Sequence, residues 1–169
     1  MRKFLLLCLF TTSFIVTSLS LSKELTSTPA QIFMAILSNH QTYPQHNAIE
    51  SYAKAFEMKE VPANMLEMFN ADKAYFAKSN NESVIISYNK HSPIALASDS
   101  NFSSTKIVSE LSQYVQLKSK GEFTQLGQKT ELMEIFDGGK SIGFLFLSYG
   151  ITDALKGTGS MAYLKELPK

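Results

Sequence analysis

Residues 131–149, ELMEIFDGGKSIGFLFLSY, decide the fold. Two apolar runs flank Asp137-Gly138-Gly139, the turn chemistry of an antiparallel hairpin. The spacing predicts strands at 131–136 and 141–149. In the second, Ile142, Phe144 and Phe146 fall on one face and Leu145 and Leu147 on the other. A strand apolar on both faces belongs inside a sheet that is covered on both sides.

Working outward, residues 83–88 (SVIISY) form a second run that is apolar whatever its parity, with Val84, Ile85 and Ile86 in succession. Turn residues 89–93 (NKHSP) lead to 94–98 (IALAS), the returning arm of another hairpin. Residues 122–126 add a strand before a turn at Gly127-Gln128-Lys129. Counting these five strands in chain order, the two that are apolar on both faces lie together in the middle. The expected antiparallel order is therefore 2-1-5-4-3. Residues 94–98 then form one edge, where Ile94 and Leu96 are the candidate partner-binding residues, since a free edge can pair with another chain. Pro93 suits such an edge.

Helices are expected around this sheet. Thr28-Pro29 begins one by N-cap and first-turn proline, with Ile32, Phe33, Ile36 and Leu37 as its stripe. Asn47 and Glu50 have capping-box spacing before Ile49, Tyr52, Ala53 and Phe56, and Glu50 and Lys54 stand at i,i+4. After Val61-Pro62 a third helical pattern holds Met65, Leu66, Phe69, Tyr75 and Phe76. Ser103 or Ser104 caps a fourth, with Ile107, Val108, Leu111, Tyr114 and Val115. Residues 152–156 and 160–167 close the chain as two short helices. The fold class is α+β: a five-stranded antiparallel sheet flanked by helices, with an N-terminal helical arm. Residues 23–60 form the arm and 61–169 the main domain.

Ahead of the arm stands an expected signal peptide, residues 1–22. Arg2 and Lys3 supply its positive charge, residues 4–10 (FLLLCLF) its apolar run, and Ser18, Ser20 and Ser22 the small side chains for cleavage after Ser20 or Ser22. Thr11, Thr12, Ser13, Thr17 and Ser18 dilute the run below the roughly 20 apolar residues of a permanent anchor. Cys8 lies mid-run, which does not suit a lipid-attachment site. Cleavage leaves one domain, exported to the periplasm or beyond the cell, with no stable membrane anchor.

Residues 62–167 resemble a roadblock-type domain of the profilin-like group, whose order PAS and Cache domains share. The resemblance rests on a helix leading into VIISYNKHSPIALAS, a further helix, the meander ELMEIFDGGKSIGFLFLS and a terminal helix. The segment DGGKSIGFLFLSYG is similar to the turn and strand of the GlcG and HbpS-like family. The resemblance implies the fold and a tendency to pair, and no functional residue is carried over from it.

Composition narrows the function. Of 169 residues, sixteen are basic and fifteen acidic, for a formal net charge of +1. The only arginine is Arg2 and the only cysteine Cys8. Both leave with the signal peptide. What remains has no thiol for a disulfide, metal site or nucleophile, and a cysteine-free exported domain points to a bacterial type of protein. Without guanidinium forks or a basic excess, nucleic acid is a poor partner.

Catalytic and metal motifs do not assemble. His40 and His46 flank a loop containing Pro44, and His91 lies in a turn, which is not the close pairing of a zinc site. Ser148 sits on an apolar strand outside any G-x-S-x-G elbow, and Ser92 is merely next to His91. Asp99, Asp137 and Asp153 occupy strand ends and caps. Gly138-Gly139-Lys140-Ser141 precedes a strand where a phosphate loop must open a helix. Residues 81–83 and 101–103 fit the N-glycosylation pattern, which a bacterial origin makes idle. Met58, Met65 and Met68 with Phe56 and Phe69 read as core at helical spacing. No catalytic residue, metal or cofactor is expected. The sequence supports an exported, non-enzymatic module that binds a protein partner or pairs as a homodimer. Its alternatives are a small-ligand sensor domain, haem among the candidates, and a hydrolase of unrecognised type.

Overall fold

The computed structural model describes residues 24–25, 27–40, 45–79, 82–89, 94–98 and 101–167. It is α+β. In chain order come β1 (Glu24–Leu25), α1 (Pro29–His40), α2 (Gln45–Ala55) and β2 (Lys59–Glu60). A 3₁₀ segment (Ala63–Phe69) follows, then β3 (Lys73–Ser79), β4 (Glu82–Tyr88) and β5 (Ile94–Ser98). After α3 (Ser104–Leu111) the chain ends in β6 (Gln116–Gln125), β7 (Gln128–Asp137), β8 (Lys140–Gly150) and β9 (Gly159–Leu164).

The strands pair in the order β1-β3-β4-β5-β9-β8-β7-β6, with β2 also on β3. Every pair is antiparallel except β1–β3, which is parallel. One limb, β3-β4-β5, joins another, β9-β8-β7-β6, through the ladder from Ile94↔Tyr163 to Ser98↔Gly159. This overturns the expected order 2-1-5-4-3. The strands 83–88 and 141–149 are not neighbours, because β5 and β9 lie between them. Residues 94–98 are not an edge either: Leu96 pairs with Ile86 on one side and Met161 on the other. The cause is the C-terminal segment. Residues 160–167 carry good helix formers, but Gly159 to Leu164 is buried at every position. A strand covered on both faces has no period-2 signal to oppose helix propensity.

The third expected helix also fails. Its first half is the 3₁₀ segment, which ends at Asn70 in a left-handed conformation. Its second half is β3, whose Tyr75 and Ala77 point into one apolar cluster and Ala74 and Phe76 into another. Residues 152–156 form turns.

The larger cluster lies where α1, α2 and α3 cover one face of the sheet. From α1 it takes Ile32, Phe33, Ile36 and Leu37, none more than 1% exposed. From the sheet it takes Ile86, Met133, Ile135, Leu145, Leu147, Met161 and Tyr163. The expected helical arm is therefore part of the core. Thr28 caps α1 as read from the sequence, accepting from the Gln31 N–H while Gln31 Oε1 accepts from the Thr28 N–H. Its hydroxyl also donates to Glu110 Oε2 at 2.6 Å, tying α1 to α3. On the opposite face Val61, Phe69, Ala74 and Phe76 form a smaller cluster under the 3₁₀ segment.

Within β8, Leu145 and Leu147 are fully buried, while Phe144 and Phe146 on the other face are only half-buried. A register shift between Ile135 and Phe136 disturbs the β7–β8 ladder. Next to it Gly143 takes φ +146°, and a Cβ there would stand 2.5 Å from the Tyr163 ring. Only glycine fits that crossing.

Candidate interaction surface

Each end of the strand order is treated differently. At one end β3 is capped, since β1 pairs with Lys78 and Ser79, and β2 with Tyr75 and Phe76. At the other end β6 pairs with β7 alone, and no other described strand covers it. Its side chains are exposed along nearly the whole strand. The sequence did place residues 122–126 at an edge; the strand runs further back, to Gln116.

The first half of β6 carries the devices that keep an edge from pairing. A bulge sits between Ser119 and Gly121. The Lys118 ammonium lies 4.3 Å from the centre of the Phe136 ring, and Lys120 Nζ 3.3 Å from Glu134 Oε2. A hydrogen bond from Ser141 and the two lysines hold the Glu134 carboxyl below its usual range. The second half, residues 121–125, has neither lysine nor proline.

That half ends in an apolar tip. Leu126-Gly127 is a two-residue turn with both φ positive, +50° and +77°, not the expected Gly127-Gln128-Lys129. A left-handed conformation suits Asn, Asp or Gly and is costly for leucine. Yet Leu126 is 63% exposed. Ile151 is 52% exposed and sits at the same turn, its N–H donating to the Gly127 carbonyl at 2.9 Å. Phe123, 41% exposed, is three residues before Leu126.

On the other face of this sheet end lies a charged row. Lys129 Nζ stands 2.6 Å from Glu122 Oε2 and 4.0 Å from Glu131 Oε1. The bond to Glu122 raises the Lys129 pKa. Tyr149 donates to Glu131 Oε1 at 2.5 Å, and burial, followed by that bond, raises its phenol.

Two other features lie away from this edge. Glu50, read in the sequence as a partner for Lys54, reaches across from α2 to β3 and β4. Its Oε1 accepts from Tyr88 at 2.9 Å and meets Lys73 Nζ at 3.2 Å. Lys73 is raised by its contacts with Tyr75 and Glu50, and Tyr88 is pushed up to about 12 by burial and by Glu50. This group fastens a helix to the sheet. A cavity of about 400 Å³ opens between Met34, Ala35 and Leu37 of α1 and Val115, Asp137 and Ile142.

The other sequence candidates disperse. Ile94 and Leu96 lie on the interior strand β5, and the edge that marked them for a partner is filled by β9. His40 ends α1 and His46 is the second residue of α2, their side chains outside the described residues, as are His91, Ser92, Asp99 and residues 1–22. Ser148 is 1% exposed and shares a 2.8 Å hydrogen bond with Thr130. Among the described residues no three of His, Cys, Asp and Glu are grouped to hold a metal, and no helix is long and apolar enough to cross a membrane.

Searches among family models, curated proteins and solved structures find no match for this chain.

The surface signal missed in the sequence was Leu126 between Gln125 and Gly127. Placing the turn one residue late hid a leucine in a position that normally takes asparagine.

Proposed function

We propose that this chain is an exported, non-enzymatic domain that binds another polypeptide by strand addition at the outer edge of β6. The observation that carries the reading is the contrast along that edge. Residues 116–120 are guarded by a bulge and two lysines, whereas 121–125 are covered by no other described strand and carry or adjoin the exposed Phe123, Leu126 and Ile151. Exposed apolar side chains held on a strained turn mark a docking surface more than a folding requirement. The polar contacts described above join helices to one another, helices to strands or strands to one another, which favours binding over catalysis. Export rests on Arg2, Lys3, the apolar run and the serines at 18, 20 and 22, with the periplasm or the exterior as destination.

A photo-crosslinking side chain placed in turn at Phe123, Leu126 and Lys140, in the native host, tests the reading. Discrete adducts are expected from Phe123 and Leu126 and none from Lys140, which is exposed on the other hairpin. Equal yields at all three positions, or no adduct at any, would overturn it. An intact mass starting at Leu21 or Lys23 would support export, and a retained Met1 would oppose it.

Small-molecule binding has one observation in its favour: the cavity beside α1 falls within the roughly 300–1,000 Å³ of ligand pockets. Native mass spectrometry of the purified protein would register an occupant directly.

A further inference from the structure

We propose that the polypeptide received at β6 is a second copy of this chain, paired antiparallel over residues 121–125 about a two-fold axis through Phe123. The inference rests on the reading of β6 as the binding edge and adds the partner and the register.

The register follows from hydrogen-bond alternation. A two-residue turn at Leu126-Gly127 makes Gln125↔Gln128 a hydrogen-bonded pair. Alternation then makes Phe123↔Thr130 and Gly121↔Leu132 bonded pairs as well, and leaves Thr124↔Lys129 and Glu122↔Glu131 without mutual bonds. Glu122 and Thr124 therefore turn their N–H and C=O groups away from β7, toward the open edge. A two-fold axis through Phe123 sets Glu122 of each copy against Thr124 of the other. Both become bonded pairs, and all the outward groups of this half-strand are used. Axes through the neighbouring residues do less well. One through Gly121 needs Lys120, which the bulge removes from the ladder. One through Thr124 matches Glu122 with the turn residue Leu126.

Side chains agree with the same axis. Phe123 meets Phe123 of the second copy at a non-hydrogen-bonded position, where facing side chains come closest. On the other face, Glu122 shares a row with Glu131, and Thr124 shares the next with Lys129. The two-fold exchanges the rows, so the acidic row of each copy runs on into the Thr124–Lys129 row of the other. A contact of this kind is isologous and charge-complementary. The bulge at one end and the turn at the other limit the ladder to the same five residues in both copies.

The test uses the full chain with Cys8→Ser, so that an added thiol stands alone. Phe123→Cys should form a disulfide-linked dimer under mild oxidation, since facing Cα atoms of a non-bonded pair are about 4.5 Å apart, within the disulfide range. Thr124→Cys should stay unlinked, because its own copies are two residues out of register. Linkage of both to the same extent, or of neither, would overturn the proposal. In a chain with no added cysteine, sedimentation should show a concentration-dependent dimer. Thr124→Pro removes one outward donor and no bond to β7, so it should weaken the dimer at least about tenfold while thermal unfolding shifts little. An undiminished dimer in that variant would refute the register. Crosslinking at Phe123 separates the two levels: an adduct with a different protein overturns self-pairing and leaves strand addition standing, and absence of any adduct overturns both.

Discussion

Replacing Leu126 with asparagine separates what this residue does for the fold from what it does at the surface. Full burial of a leucine contributes about 1.5–3 kcal/mol. With 63% of Leu126 exposed, only roughly 0.5–1 kcal/mol of that can be lost on truncation. Against this stands the backbone. At φ +50° leucine bears a left-handed penalty of about 1–2 kcal/mol, much of which asparagine avoids. Leu126→Asn should therefore leave stability unchanged or raise it by up to about 1 kcal/mol. Leu126→Ala keeps the strain and loses the contact, so it should fall by about 0.5–1 kcal/mol. The gap between the two variants, about 1 kcal/mol or more, corresponds to roughly 2–4 °C in Tm for a domain of this size. Urea unfolding monitored by circular dichroism checks it, with a shifted midpoint at constant slope as the expected form. Crosslinking at Phe123 should decline in Leu126→Asn although the fold is as stable as before. An asparagine variant no more stable than the alanine variant would refute the argument, because the leucine would then be holding the fold.

Gly143→Ala should cost about 3 kcal/mol or more through its positive φ and its collision with Tyr163; an unfolding midpoint near that of the parent would show that the crossing can relax. Tyr88, held neutral in the fold with its pKa pushed from 10.0 to about 12, contributes stability that is complete below about pH 10 and lost as pH rises through 12. Tyr88→Phe should flatten that alkaline decline in unfolding free energy, and an unchanged slope would place the sensitivity on another tyrosine. Backbone amides of Met161, Ala162 and Tyr163 should be among the slowest to exchange with deuterium, since β9 is paired on both sides; fast exchange there would restore the terminal helix expected from the sequence.

Local signals survived in several elements that turn one face to water, though not at the largely exposed residues 152–156, which form turns. The stripe of α1 from Ile32 to Leu37, the Ser103 cap of α3 and the Asp137-Gly138-Gly139 hairpin all stand as the residues announce them. The two largest failures fall where both faces are covered. β9 is buried at all six positions, and Ala74 to Phe76 of β3 lie between two apolar clusters, so neither shows alternation. Sheet order is less legible still, because it depends on which distant strand fills an edge. Residues 94–98 look like an edge until Gly159 to Leu164 arrives from the far end of the chain. The site was half visible: residues 122–126 already lay at an edge, but that no other described strand covers it depends on β9 having taken the other vacancy.

The position of β9 also bears on how far association can go. Once it lies between β5 and β8, the described strand order has two ends, β1 and β6. β1 is two residues long and shares the outer side of β3 with β2, so the proposed pairing through β6 would use the one long edge that no other described strand covers. A two-fold contact of this kind closes on itself, and growth stops at two chains. The contact is small, since five residues of strand extend about 17 Å, which places it with weak and transient interfaces. The lysines and the bulge of residues 116–120 then have a definite part. On the proposed pairing they would keep the ladder from lengthening into a long, flat contact of the kind that aggregates, and would leave a short, reversible one centred on Phe123.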